Sequence, residues 1–559
     1  MDIVTAGVTS LDVFFQSYYR LRPVNATFTG VHEYDDRLPD WSPDGLASAV
    51  DEMRALRASL AAARPTDDAL PSVAVRDCDL AIAFLDIQIA EHESDHLQRG
   101  NPSLAAGEAI FGIIALMTRP FAPTAQRVDA AIARLSAVPA FLEGARRSMT
   151  AGVPDEWRMR CLRECEGAGR LLDDGIRRWI AVESVDHRRA DHLTRAARPA
   201  ARAFDDFRAW LARDAAAAAP DRYACGPELF DLLLARGHWC DRPRGELARQ
   251  AQQALDDALD QLQTRARAHA PGGWPEVQHR LTETHPTTDD YLASYQRTWV
   301  ACREQAEASD LVTWPDSPIR YEPIPIHTRD AAPYLYYLFY RSPAPFDRLS
   351  THDYVVTPID REMSVDEQER RLRAANTSVI KLNHVVHHGA IGHHVQNFYA
   401  YAGDSEIGRV AAVDGASRIG MFQGGTMAEG WACYATDLME DVGFLTPDES
   451  LAQQHTRARL LGRAIVDIGL HERTLTFDDA VAVYRDRIGM SPDAARAEAC
   501  KNSMFPCTAI MYWLGTEGLH ALRRERERLE GAAFSLRRFH DRVLSFGSVP
   551  VPLVAQAYA

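Results

Sequence analysis

The sequence predicts a mainly α-helical protein with a small strand-bearing segment, and three observations predict it. Apolar residues recur at helical spacing through most of the first half, the same pattern resumes from Val365 to the end, and a stretch rich in Pro, Tyr and β-branched residues lies between. Ser42 to Ala62 and Pro123 to Arg147 set apolar side chains among Ala, Arg, Glu and Asp, the mixture of an amphipathic helix. Arg188 to Ala219 and Arg244 to Ala270 repeat it, with Pro220 and Pro271-Gly272-Gly273 as stop signals. Between Pro315 and Pro358, the runs Tyr321-Glu322-Pro323-Ile324-Pro325-Ile326 and Asp353-Tyr354-Val355-Val356 read as short strands. Beyond Val365 the helices break at Gly424-Gly425, Pro447, Pro492 and Pro550. No repeat period stands out, which argues against a solenoid. A boundary near Pro271–Pro286 divides an N-terminal helical region, 1–280, from a helical region 281–559 that carries the candidate site.

Composition narrows the function classes. Of 559 residues 46% are hydrophobic and 25% charged, as in ordinary globular proteins. The formal net charge of −16 argues against general binding to nucleic acid or anionic membrane, since phosphate contacts need a basic surface. Met1 to Arg20 lacks a basic leader followed by an apolar core, so a cytoplasmic location is expected. Ala109 to Met117, bounded by Glu108 and Arg119, falls short of the roughly 20 residues that span a bilayer, so no membrane span is expected. Nine cysteines without a CxxC pair read as small buried hydrophobes rather than a disulfide framework.

The densest chemical signal runs from Asn383 to Gln396, with histidines at 384, 387, 388, 393 and 394. Imidazole is the commonest transition-metal ligand, and two ligands on one helix usually stand at i and i+4. Only His384 and His388 have that spacing here. His387 and His394 share a face, but seven residues rise about 10.5 Å on a straight helix, too far for one ion. The chain must bend, and Gly392 is where a bulge or break is easiest. The bland alternative is a solvated histidine cluster. Glu429 lies 429 − 394 = 35 residues further on, in Met427-Ala428-Glu429-Gly430-Trp431, at what reads as a helix start. It either completes a His/His/Glu site or sits there as a first-turn glutamate favoured by the helix dipole.

These residues carry a resemblance. The chain resembles the bacterial domain-of-unknown-function 885 family, whose fold is grouped with the gluzincin metallopeptidases and whose central motif is V-V-H-E-x-x-P-G-H-H-x-Q. That motif corresponds to Val385 through Gln396. The family block E-G-W-A-x-Y-x-E is similar to Glu429 through Thr436, and D-x-G-x-H to Asp467 through His471. P-G-Q-A-x-x-Y-K-x-G resembles Pro506 through Gly515, and F-H-D-x-x-L-x-x-G-x-V-P resembles Phe539 through Pro550. Near the start, Pro23 to Thr27, Gly30 and Asp40 to Pro43 are also family-like, so the likeness runs over nearly the whole chain as one family-length unit. It implies a two-lobed helical gluzincin-like scaffold with a central cleft, and a metal held by His387, His393, His394 and Glu429.

The departures bear on activity. His388 stands where the family has the glutamate that serves gluzincins as general base, so it is either a substitute base or a further ligand. Ile391 replaces the motif proline, Thr436 the second glutamate, Cys507 a glycine, Thr508 a glutamine and Trp513 a lysine. Asp467 and His471, at i and i+4, are expected to act as an oriented pair, and Tyr512 as a hydrogen-bond donor to a developing oxyanion. The chain thus reads as a metal-dependent enzyme, zinc by default, acting on a small peptide-like or amide-bearing substrate. Two alternatives stay open: an iron or copper enzyme of redox or lyase type, and a non-catalytic binding protein on the same scaffold.

Overall fold

In the computed structural model, residues 9–65, 72–149, 152–219, 221–335, 344–347, 351–413 and 418–558 are described. The predicted helices are present. Ser42 caps Pro43–Ala63 by accepting from the Gly45 N–H, Pro123 precedes Thr124–Ser148, and Arg244–His269 ends at Ala270. His187–Arg213 stops several residues before the expected end, and the expected stop, Pro220, lies outside the described residues. The strand-bearing segment is a parallel pair, β1 (Ile319–Pro323) and β2 (His352–Val356), in register Ile319 to His352. Residues 336–343 and 348–350 of that stretch, like the first eight of the chain, lie outside the described residues. The fold is mainly α, with these two short strands.

The chain clusters into two compact units, Met1–Tyr223 with Pro325–Tyr337 and Ala344–Arg348, and Ala224–Ile324 with Leu338–Pro343 and Leu349–Ala559, so the first division falls at 223/224 rather than at 280/281. Residues 224–280 belong with the second unit because Arg244–His269 packs along Pro447–His471. Leu262, Ala266 and Leu451 share one apolar cluster there, and Gln454 Nε2 donates to the Ala258 carbonyl at 3.1 Å.

The first unit is organised around buried polar staples as well as apolar packing. Fully buried Arg134 donates to the carbonyls of Gly112, Pro23, Arg37 and Tyr34 and to Thr27 Oγ1. Its charge is thereby solvated by backbone dipoles. His32 is held between Asp35 (2.9 Å) and Asp347 (2.8 Å), with its ring stacked on Phe121.

In the second unit, two helices cross at glycines. A Cβ on Gly430 would lie 2.5 Å from the Gly515 carbonyl carbon, and one on Gly515 would lie 2.0 Å from the Thr426 carbonyl oxygen. Gly425–Asp441 and Met511–Glu530 therefore approach more closely than side chains permit. Pro447–His471 starts with a capping box between Thr446 and Glu449. No described helix is long and apolar enough to cross a membrane, and all nine cysteines are free thiols, most of them buried.

Candidate metal centre

The expected bend is present, and it has two parts. Ile380–Gly389 is π-helical, its hydrogen bonds reaching one residue further than in an α-helix, with His387 and His388 in its last turn. The chain then breaks at Ala390 and Gly392, both with ψ of −120°, and His393 opens a new helix, His393–Ala402. Gly392 permits the fold-back. A Cβ there would stand 2.0 Å from the His387 carbonyl oxygen and 2.7 Å from that of Val386. Two buried indoles take up carbonyls freed by the break: Trp299 donates to Gly389 and Trp431 to Ile391, each at 2.8 Å. Lys381 ties the π-helical segment to the start of Pro447–His471 through the Phe444 carbonyl (2.7 Å) and Glu449 (2.8 Å).

The fold-back gathers His387, His388 and His393, with one nitrogen of each inside a group no wider than 4.8 Å. Glu429 joins from Gly425–Asp441. It sits beyond the first turn of that helix, so the helix dipole does not account for it. Its Oε2 lies 3.4 Å from both His387 Nε2 and His393 Nε2. These separations exceed the roughly 2.7–3.2 Å of an N–H···O bond. They match the about 3.3 Å between two donors that each lie about 2.0–2.1 Å from one tetrahedral ion. Glu429 Oε2 is buried without a hydrogen-bond partner, whereas Oε1 accepts from Tyr512 Oη at 3.0 Å. Tyr512 reaches it because Gly430 and Gly515 let the two helices touch.

Protonation favours metal binding. Burial, aided for His388 by its imidazole neighbours, keeps His387 and His388 below the usual imidazole range and hence neutral. Burial opposes ionisation of Glu429, but the adjacent His393 and His387 outweigh it and hold the carboxyl well below its usual range. Neutral imidazoles and an ionised carboxylate are the ligand forms. His388 Nδ1–H donates to the Asn383 carbonyl at 2.7 Å, which leaves the lone pair on Nε2.

The remaining expected residues lie elsewhere. His394 is turned from the cluster: its Nε2–H donates to the Ser317 carbonyl at 3.0 Å, and its ring packs on His352 and Phe398. One residue is 100° of helix, so His393 and His394 cannot face the same way. His384 pairs with Tyr354 Oη at 2.7 Å rather than with His388. His471 and Asp467 are 3.7 Å apart and do not form the expected oriented pair. His471 donates from Nε2 to the Asn502 carbonyl and accepts the Cys225 N–H at Nδ1. Asp467 accepts the N–H groups of Cys507, Ala509 and Ile510. Burial raises its carboxyl to about 7 against the pull of those three donors. Asp467 is therefore a positioning residue, holding the turn from which the Tyr512 helix starts. Thr436 and Thr508 spend their hydroxyls on the Ala432 and Phe505 carbonyls.

Two arginines escaped the sequence reading. Arg463 makes a bidentate pair with Glu498 at 2.7 and 2.8 Å and lies 5.0 Å from the centroid of the Tyr512 ring. Arg459 stands one turn earlier on the same helix. The i, i+4 arginine pair within an otherwise apolar helical run was the available signal.

The sequence profile of the family described as bacterial protein of unknown function (DUF885) matches residues 23–557. The chain belongs to this family. Two solved structures resemble the domain-of-unknown-function 885 chain over 98% of its length and 98% of their own. One is a protein provisionally named a lipoprotein of unknown function from Shewanella oneidensis, 21% identical with a TM-score of 0.77. The other is a protein provisionally named a lipoprotein from Colwellia psychrerythraea, 14% identical with a TM-score of 0.74. Both share the fold. No curated protein matches the chain.

Proposed function

We propose that this family member is a metal-dependent enzyme that binds zinc through His387, His393 and Glu429 and acts on a small peptide-like or amide-bearing substrate. The observation that carries this reading is Glu429 Oε2, buried, without a hydrogen-bond donor, and 3.4 Å from each of two imidazole nitrogens. Bound zinc would supply Lewis-acid polarisation of a carbonyl or of water. The chain's own residues supply the rest. Tyr512 orients Glu429 through Oε1 and presents a phenol beside the centre. His388, neutral and with its Nε2 lone pair free of the Asn383 bond, is placed to accept a proton.

One observation favours a second reading. His388 belongs to the same three-histidine group, and a set of three imidazoles and a carboxylate also suits iron or copper in redox or lyase chemistry. Metal analysis of protein purified without added metal separates the two, together with the variants His387→Ala and Glu429→Ala. Stoichiometric zinc in the wild type and near-background metal in both variants is expected. Undiminished metal in both variants would refute the site. Metal bound without turnover of any amide or peptide would leave the non-catalytic binding protein.

A further inference from the structure

We propose that Arg459 is a binding residue for a free carboxylate on the substrate. This rests on the reading of His387, His393 and Glu429 as the reacting centre, and it narrows the substrate class to small amide-bearing or peptide-like acids.

Arg459 and Arg463 are one turn apart on Pro447–His471, yet their circumstances differ. Arg463 is held by Glu498 and stacks on Tyr512. Arg459 Nε is buried with no acceptor, and the guanidinium has no hydrogen-bond or ion-pair partner among the described residues. Arg134, which is fully buried, donates to five oxygens, whereas Arg459 is half-buried with only its Nε closed off, so its terminal nitrogens stay open to a ligand.

Arg459 lies toward the centre: it stands one turn before Arg463, whose guanidinium is 5.0 Å from the centroid of the Tyr512 ring, and Tyr512 donates to Glu429; its charge also acts on His387 and interacts with Glu498, Tyr512 and Cys433. Burial, and then the like charge of Arg463, disfavour its cationic form, but a guanidinium stays charged at neutral pH. A half-buried guanidinium without a hydrogen-bonded anion carries a desolvation cost, and adding the right anion offsets it. The planar fork of arginine fits a carboxylate with two parallel hydrogen bonds, so the preferred ligand is planar and anionic. The carbonyl under attack would lie at the His387/His393/Glu429 end, and the carboxylate at Arg459.

The test uses the full chain, its zinc content measured first, and two probes of nearly equal shape, N-acetylglycine and N-acetylglycinamide, titrated calorimetrically. Wild type is expected to prefer the acid by at least about tenfold. Arg459→Gln should lose that preference with metal content unchanged, and Arg459→Lys should recover part of it. Ligand-free Arg459→Gln should melt close to wild type, because Arg459 makes no hydrogen bond or ion pair and Glu498 keeps its bidentate pair with Arg463. Equal binding of the two probes by wild type, or an acid preference that persists in Arg459→Gln, would overturn the proposal; so would a markedly lower melting temperature of that variant. Acid preference that survives chelation and depends on Arg459, in protein that binds no zinc, would sink the metal reading while upholding the carboxylate site.

Discussion

Asp467 holds Cys507 in left-handed backbone geometry: the Cys507 N–H donates to Asp467 Oδ1 at 2.9 Å, at a residue whose φ is +61°. His238 secures the other side of the same residue by donating from Nε2 to its carbonyl at 2.6 Å. The family motif has glycine at this position, where glycine adopts the angle without strain. Cys507→Gly is expected to change stability by less than about 1 kcal/mol, read as a nearly unmoved urea midpoint, because relief of the left-handed backbone is offset by the loss of a fully buried side chain and by glycine's freedom in the unfolded chain. Asp467→Ala should lower it by about 3 kcal/mol or more, because three buried N–H groups lose their acceptor.

At Gly392 even a methyl group would collide with the His387 carbonyl oxygen. Gly392→Ala should cost about 3 kcal/mol and strip the metal, since the backbone must open where His387 and His393 meet. Denaturant melts and metal analysis on the same preparation check both; a variant with wild-type metal content would refute the fold-back as the device that assembles the site.

Tyr512→Phe removes one hydroxyl from Glu429 Oε1 and leaves the ring under Arg463. Zinc affinity is expected to fall by about 10- to 100-fold with the melting curve little changed. Competition with a chromophoric chelator measures it.

Restoring the family residue with His388→Glu separates the two roles of His388. A substitute base predicts retained zinc and modestly faster hydrolysis of simple amides, which is the expected result. A first ligand predicts altered metal affinity or a shift toward harder ions. Metal content and amide turnover, measured on wild type and variant, distinguish them.

His32 makes the first unit sensitive to alkali. Burial disfavours its charge, but the carboxylates of Asp347 and Asp35 outweigh this and raise its pKa to about 9. Arg119, 3.6 Å from Asp347, is the nearby cation. The folded state thus binds a proton more tightly than the unfolded state, whose imidazole titrates near 6.5. This stabilisation is complete below about 6.5 and is lost as pH rises through about 9. Urea midpoints between those values should decline in wild type and decline less in His32→Gln.

The helices were legible because apolar residues recur with the helical period and because Pro271-Gly272-Gly273, Pro447 and Pro492 punctuate it. Tyr321 and Tyr354 marked the strands, but their parallel register depends on chain return across 33 residues, which no local pattern encodes. The need for a bend, and Gly392 as its place, followed from counting residues between histidines. Which of His393 and His394 faces inward did not, because it depends on a one-residue choice of where the new helix begins. Asp467 and His471 misled for a different reason. Their i, i+4 spacing is real, but the groups that occupy His471, the Asn502 carbonyl and the Cys225 N–H, lie 31 and 246 residues from it, and those that occupy Asp467 lie 40 to 43 residues on. Residues 224–280 look like the preceding helices in sequence and pack with the following ones.

The π-helical segment Ile380–Gly389 carries one residue more per hydrogen-bonded ring than the common helix does. A single deletion there can be absorbed by relaxation to ordinary α-helix, which keeps the flanking chain in phase but narrows the turn that carries His387 and His388. Removing Asn383 alone should yield a protein with unchanged helical circular dichroism and no bound metal, and a deletion variant that still binds metal would show that the widened turn is not what sets the register.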